Sequence, residues 1–298
     1  MKAREVLSQA LIEALDRAGK TAAEKSIDFD ERVHRFRREV RRARGILRVF
    51  RPGIDDETRA RLEELLRSAI AMTSALRDGA VLLRALHDLP LEEEAERARQ
   101  RASDALEAIV AVADSTRRPE IILSQAAEGV LTVRMVFSGL TLSALGSSEV
   151  ADSFRDLWRR AQRAREDVII TADRDDFHVW RKRTKELRYG FEVLEEAGAN
   201  IDGLVRDMRL ASRAQGLVTD GFLLRDALTD VDFSGVEEEA EELLETLNDL
   251  LTLGMREIIV DFGVPFDIED QRIRRRIRRI LQDGLHRGYD DDDDDDDD

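Results

Sequence analysis

A chain of 298 residues with 42% hydrophobic side chains can bury one large apolar core or two ordinary ones, and four prolines among abundant Leu, Ala, Glu and Arg point to an all-α fold. The absence of cysteine excludes a disulfide framework, a thiolate zinc site and a cysteine nucleophile. The net charge of −16 looks hostile to an anionic ligand, but nine of those charges are Asp290 to Asp298, and only five of the 48 basic residues are lysine, so the cationic surface is almost wholly guanidinium.

From the N-terminus, Met1 to Lys20 reads as a charged amphipathic helix rather than a signal peptide, and no apolar run approaches the roughly 18 residues of a membrane span. The expectation is a soluble, cytoplasmic protein. Helix-breaking signals follow at Gly19, Pro52-Gly53, Leu89-Pro90, Arg118-Pro119, Gly146-Ser147-Ser148, Gly198, Ser234-Gly235 and Gly263-Val264-Pro265. They divide the chain into about ten helices. No segment alternates with a two-residue period, so a sheet has no source, and antiparallel bundles are the default.

The first segment with chemical content is Arg32 to Arg51, where nine arginines meet one acid, Glu39. On a helical wheel Arg37, Arg38, Arg41, Arg44 and Arg48 fall within roughly 80° of His34, while Phe36, Val40, Ala43, Leu47 and Phe50 form the opposing stripe. A second segment repeats this geometry, with His178, Arg181, Lys182, Lys185 and Arg188 on one face and Trp180, Leu187, Phe191 and Leu194 on the other. The two align without gaps at an offset of 144, Val33 to Arg44 on Phe177 to Arg188. Leu76 to Leu82 likewise matches Val218 to Leu224, and Pro119 matches Pro265. Three anchors at nearly one offset indicate duplication, giving two antiparallel helical bundles of four-helix type over 1–146 and 147–289, related by a pseudo-two-fold, and an acidic tail, 290–298.

Like charges at i,i+4 cost a few tenths of a kcal/mol per pair unless something answers them. A polyanion would answer them by phosphate neutralisation and counterion release. Carboxylates on neighbouring helices, or a solvated face, are the alternatives. Elsewhere, Arg155, Arg159 and Arg163, with Arg160 beside them, could widen the anion surface. So could Arg272 to Ile280, whose isoleucines read as a core-facing seam or as an amphipathic membrane-surface helix.

His34-x-x-Arg37-Arg38-x-x-Arg41-x-x-Arg44 followed by Leu47-x-x-Phe50 resembles the first signature of the CHAD family, named for a histidine on an α-helical domain. His178-x-x-Arg181-Lys182-x-x-Lys185-x-Leu187-Arg188-Tyr189 is similar to its second motif, and Leu76-Arg77-Asp78 to its Arg-Asp step. Over residues 1–289 the resemblance implies two pseudo-symmetric helical bundles, a basic central surface or pore, and non-catalytic binding of inorganic polyphosphate. It further implies a targeting role, polyphosphate-metabolising enzymes as candidate partners and polyphosphate granules as a candidate location. Two departures, Glu186 in place of Arg42 and Thr219 in place of Arg77, suggest that the second half contributes less charge.

His34 and His178 can each offer a hydrogen bond to phosphate. As metal ligands they would have only Asp78 and Asp220 as symmetric companions, so no metal or other cofactor is expected. No P-loop, Gly-x-Ser-x-Gly or Gly-x-Gly-x-x-Gly is present, so no catalysis is expected either. A nucleic-acid binder using the same face is the first alternative; against it, only Tyr189 is placed for base stacking. A scaffold whose arginines pair internally is the second. Asp290 to Asp298 reads as a polyanion mimic that competes for the basic face, or as a solvating tail.

Overall fold

Asp28 and Asp173 stand just ahead of the two cationic segments. Each carboxylate accepts from two backbone amides, those of Asp30 and Glu31 (2.9 and 3.4 Å) and those of Asp175 and Asp176 (2.7 and 3.3 Å). These N-caps start α2 (Phe29–Val49) and α8 (Arg174–Glu196) in a computed structural model that describes residues 3–91, 95–142 and 145–283. The other helices are α1 (Ala3–Ala23), α3 (Asp56–Met72), α4 (Ala75–His87), α5 (Glu96–Arg117), α6 (Pro119–Ser138), α7 (Ser147–Thr171), α9 (Asp202–Leu228), α10 (Glu237–Asp261) and α11 (Asp270–Asp283). Among the described residues all regular structure is helical, with short 3-10 turns at Arg51–Gly53 and Val264–Asp267. The side chains of Arg77 and Asp78, as well as His286 and the aspartates 290–298, lie outside the described residues.

The apolar stripes explain the packing. Phe36, Val40, Ala43, Leu47 and Phe50 on α2, and Trp180, Leu187, Phe191 and Leu194 on α8, are wholly buried, each large side chain contributing about 1.5 to 3 kcal/mol. In the first half α2 lies on α1 and α3, and α1 and α3 lie on α6; in the second, α8 lies on α7 and α9, and α7 on α11. Between the halves α2 meets α8, α4 meets α9 and α5 meets α10. Gly45 and Tyr189, paired by the 144-residue offset, touch where α2 crosses α8: a Cβ on Gly45 would stand 2.8 Å from the Cβ of Tyr189. A two-fold axis passing through the crossing would bring equivalent residues together in this way.

Three boundaries differ from expectation. Gly19 does not end α1, which runs on to Ala23 with Gly19 set against Leu131 of α6. The chain breaks instead at Thr73–Ser74, between α3 and α4, where the second half has one unbroken helix of 27 residues, α9. It also breaks at Ala172, whose φ of 48° ends α7 in a left-handed residue just before the Asp173 cap. By length and composition alone α6 could cross a membrane, its most apolar 18-residue window having a mean hydropathy of 1.3, although Glu128 and Arg134 interrupt its apolar sequence. Its Leu123, Val130, Val133 and Phe137 are buried in the core, with Phe137 edge-on to Phe50 at 5.2 Å.

Gly45→Ala forces the α2–α8 crossing apart and is expected to destabilise by about 1 to 3 kcal/mol. Gly129→Ala, in mid-α6 with nothing within 4 Å of the new Cβ, is expected to stabilise by about 0.5 to 1 kcal/mol. Urea unfolding of both variants checks the contrast, and indistinguishable midpoints would contradict the close crossing.

Candidate functional site

Where α2 and α8 cross, their polar faces enclose a pocket of about 240 Å³. From α2 it is lined by Arg41, Arg44, Gly45 and Arg48, and from α8 by His178, Arg181, Lys182, Lys185, Glu186 and Tyr189. Seven of the candidate side chains therefore converge from both cationic helices, against a single carboxylate, Glu186. As expected, the second half contributes less net charge here: α8 brings Arg181, Lys182 and Lys185 together with Glu186, against three arginines and no acid from α2, and Glu186 pairs with Arg48 of α2 and with Arg183 at 3.0 Å.

A larger concavity of about 620 Å³ lies next to it and shares Arg48. Its five arginines, Arg48, Arg51, Arg59, Arg160 and Arg183, share the lining with four carboxylates, Asp56, Glu63, Asp152 and Asp156, so its charge is nearly balanced. The smaller pocket has the excess. Sequence reasoning missed Gly45 and Glu186 as pocket walls and Arg183 beside it, while Arg160, named as a possible extension of the anion surface, lines the neighbouring concavity. A glycine on α2 paired at the repeat offset with the bulky Tyr189 was the available signal for the crossing.

The remaining candidates lie elsewhere. His34 is exposed in the first turns of α2 and does not line the pocket. Arg38 is exposed, its Nε donating to Glu39 (3.2 Å). Arg188 lies 4.5 Å above the ring of the buried Tyr189, 3.6 Å from Glu192, and donates to Ser212 (3.4 Å). Arg48, which does line the pocket, is held between Glu63 and Glu186.

Arg37 does not point away from the core. It is 4% exposed, and its Nη1 donates to the carbonyl of Ile70 (2.6 Å) and to the hydroxyls of Thr73 (3.0 Å) and Ser74 (3.2 Å). The break between α3 and α4 is the cause: the Ser74 amide turns to the carbonyl of Ala71 (3.1 Å), and the carbonyl of Ile70 takes the guanidinium instead. Its counterpart Arg181 meets the unbroken α9 at Gly216, where a Cβ would stand 3.6 Å from Nη2, and stays in the pocket.

Internal pairing also answers several outer arginines of the first segment. Arg32 is buried against Glu120 (2.6 Å), Arg35 meets Glu31 (2.5 Å) and Arg42 meets Glu196. On α11, Ile273 and Ile277 are buried and Arg274 donates to Asp152 (2.5 Å), so the core-facing seam holds and the membrane-surface reading of that helix does not. Arg159 and Arg163 flank the start of α11, apart from the pocket.

The pocket's electrostatics follow from crowding. Burial, then Arg181, Arg41 and Arg188, push the Lys185 ammonium down to about 6, with Asp220 opposing weakly. Lys182 is lowered by burial and by Arg48, Arg183 and Arg44. His178 is lowered by burial and by Arg181, Lys182 and Lys185, which keeps its imidazole neutral at pH 7.

Residues 9–229 match the family model described as CHAD domain, a span well over half the chain that contains both cationic helices and the whole pocket. No curated protein matches the sequence.

Arg37→Ala is expected to cost about 1 to 3 kcal/mol of stability, since it strips a charged donor from a buried carbonyl and two hydroxyls. Lys182→Ala, at an exposed position, should stay within about 0.5 kcal/mol of the parent. Chemical unfolding distinguishes them, and an unchanged midpoint for Arg37→Ala would show that the buried guanidinium is not structural.

Proposed function

The chain belongs to the CHAD domain family, known for helical domains that bind polyphosphate, and we propose that it binds inorganic polyphosphate in and around the α2–α8 pocket without chemically transforming it. The observation that carries this reading is the convergence of Arg41, Arg44, Arg48, Arg181, Lys182 and Lys185 on one small pocket with Glu186 as the single acid. Guanidinium forks on two rigid helices suit successive phosphoryl groups, and each neutralised phosphate releases counterions. Lys182 and His178, exposed at the mouth, extend the surface outward.

Nucleic acid is the weaker reading on a specific observation. Tyr189, the pocket's one aromatic residue, is 5% exposed and lies beneath Arg188, so it offers no face on which a base could stack. In the cell the domain would act as a targeting module in the cytoplasm, bringing partner enzymes of polyphosphate metabolism to the polymer or to its granules. Asp290 to Asp298 would compete with the polymer for the same cations at high effective concentration.

Titration with polyphosphate, DNA, RNA and heparin at two salt concentrations tests the reading. Polyphosphate is expected to bind most tightly and with steep salt dependence. Arg41→Ala and Lys182→Ala should each cost about 1.5 to 3 kcal/mol at low salt and reduce the slope of log K against log salt by roughly 0.7. Combining them, one from each helix, should weaken binding further than either alone. A flat salt profile, or DNA preferred over polyphosphate, would overturn the assignment. Removing residues 290–298 should tighten polyphosphate binding, most at low salt; equal affinities with and without them would make the aspartates a solubility tail.

A further inference from the structure

The pocket gathers six lysine and arginine side chains against one carboxylate, and its residue types restrict which of them can give up its charge. Guanidinium groups do not release a proton in proteins, so Arg41, Arg44, Arg48 and Arg181 stay charged. His178 already favours its neutral form. That leaves the two lysines. Lys182 is exposed and water screens it, whereas Lys185 is partly buried one turn deeper along α8.

Among the described residues, Lys185 makes no hydrogen bond and no ion pair. The charged groups that act most on it are Arg181 and Arg188 on its own helix, Arg41 from α2 across the crossing and, with opposite sign, Asp220 from α9; His178, Lys182 and Glu186 line the same pocket, Glu186 being paired with Arg48 and Arg183. Asp220 is too weak a counterweight, and the ammonium is depressed by several pH units below the ordinary lysine value, to about 6.

We propose that Lys185 is the proton-accepting group of this site, a neutral amine in the ligand-free protein at neutral pH that takes up a proton as a phosphate chain enters the pocket. This rests on the polyphosphate reading above and adds its regulation. A phosphate oxygen beside Lys185 supplies the counter-charge and the hydrogen-bond acceptor that the protein withholds. Binding and proton uptake are then a single linked equilibrium.

The sign is fixed by the linkage. Ligand raises the affinity of Lys185 for a proton, so the ammonium's contribution to binding is fully present below about 6. It is lost as the pH climbs through the higher value that Lys185 has in the complex. Between those limits affinity falls by up to about tenfold per pH unit. A more acidic compartment would load the protein and an alkaline one would unload it.

Isothermal titration calorimetry of the full chain at pH 7.5 with sodium polyphosphate, in two buffers of different ionisation enthalpy, counts the protons taken up. The parent protein is expected to take up close to one proton more than Lys185→Arg, which carries a permanent charge and should still bind. Lys185→Met should bind more weakly with the same loss of uptake, while Lys182→Arg and His178→Gln should keep it. Protonation of the polymer's own end groups is common to all variants and cancels in the comparison. Equal uptake by the parent and Lys185→Arg, with binding intact, would overturn the proposal and leave the polyphosphate reading standing. No binding by the parent would overturn that reading. In that case the ionisation of Lys185 is still read by competitive acetylation at pH 7 with mass spectrometry, where the proposal requires Lys185 to react faster than Lys182.

Discussion

The structure depends on the close crossing of α2 over α8. With no side chain at Gly45, the backbone of α2 comes close enough to rest against Tyr189. Two helices that are each half core and half cation then have one way to pack: the apolar stripes turn inward and the cationic faces meet at the crossing. The buried aromatic clusters hold this against electrostatic repulsion, with Phe154 stacked on Phe191 at 5.1 Å and Trp158 and Trp180 both against Phe266. Carboxylates answer several outer arginines, Glu120 and Glu196 from other helices and Glu31 from α2 itself, while the pocket is lined by six lysines and arginines and one carboxylate. Crowded guanidinium groups in a confined space are unfavourable for the isolated fold, and a dense anion bound there would relieve them, as the polyphosphate reading requires.

The two halves use equivalent residues differently. Arg37 and Arg181 occupy the same position in the repeat, yet Arg37 is spent on the carbonyl freed by the break between α3 and α4, while Arg181 faces an unbroken α9 and remains in the pocket. The two halves are thereby unlike at their centre: one arginine binds the backbone at the α3–α4 break and the other lines the pocket. Glu186, standing where the first repeat has Arg42, adds to this asymmetry by tethering Arg48 across the crossing.

Much of this was legible in the sequence because helical periodicity is a strong signal. The alternation of apolar and basic residues from Val33 to Phe50 fixed which face of α2 is buried, and the repeat offset brought the second helix into register. Proline at 119, and the glycines at 146, 198, 235 and 263, marked real boundaries. The break at Thr73–Ser74 was not legible, since neither residue is a glycine or proline and the hydroxyl bonds to Ala69 and Ile70 that accompany the helix end emerge only in three dimensions. The same holds for Arg37. A helical wheel gives the direction of a side chain to within tens of degrees but cannot show whether a carbonyl that has lost its helical amide lies there. The partners of Arg32 and Arg42, Glu120 and Glu196, are likewise far apart in sequence and were invisible to a reading along one helix.

The most direct test of the central claim is residue-resolved protection in the presence of polyphosphate, with arginines modified by a dicarbonyl reagent, lysines by acetylation, and both read by mass spectrometry. The account predicts joint protection of Arg41, Arg44, Arg181, Lys182 and Lys185, with no change at the exposed arginines of α11, Arg272, Arg275 and Arg279. Protection centred on α11, or an unprotected pocket under saturating polymer, would contradict it.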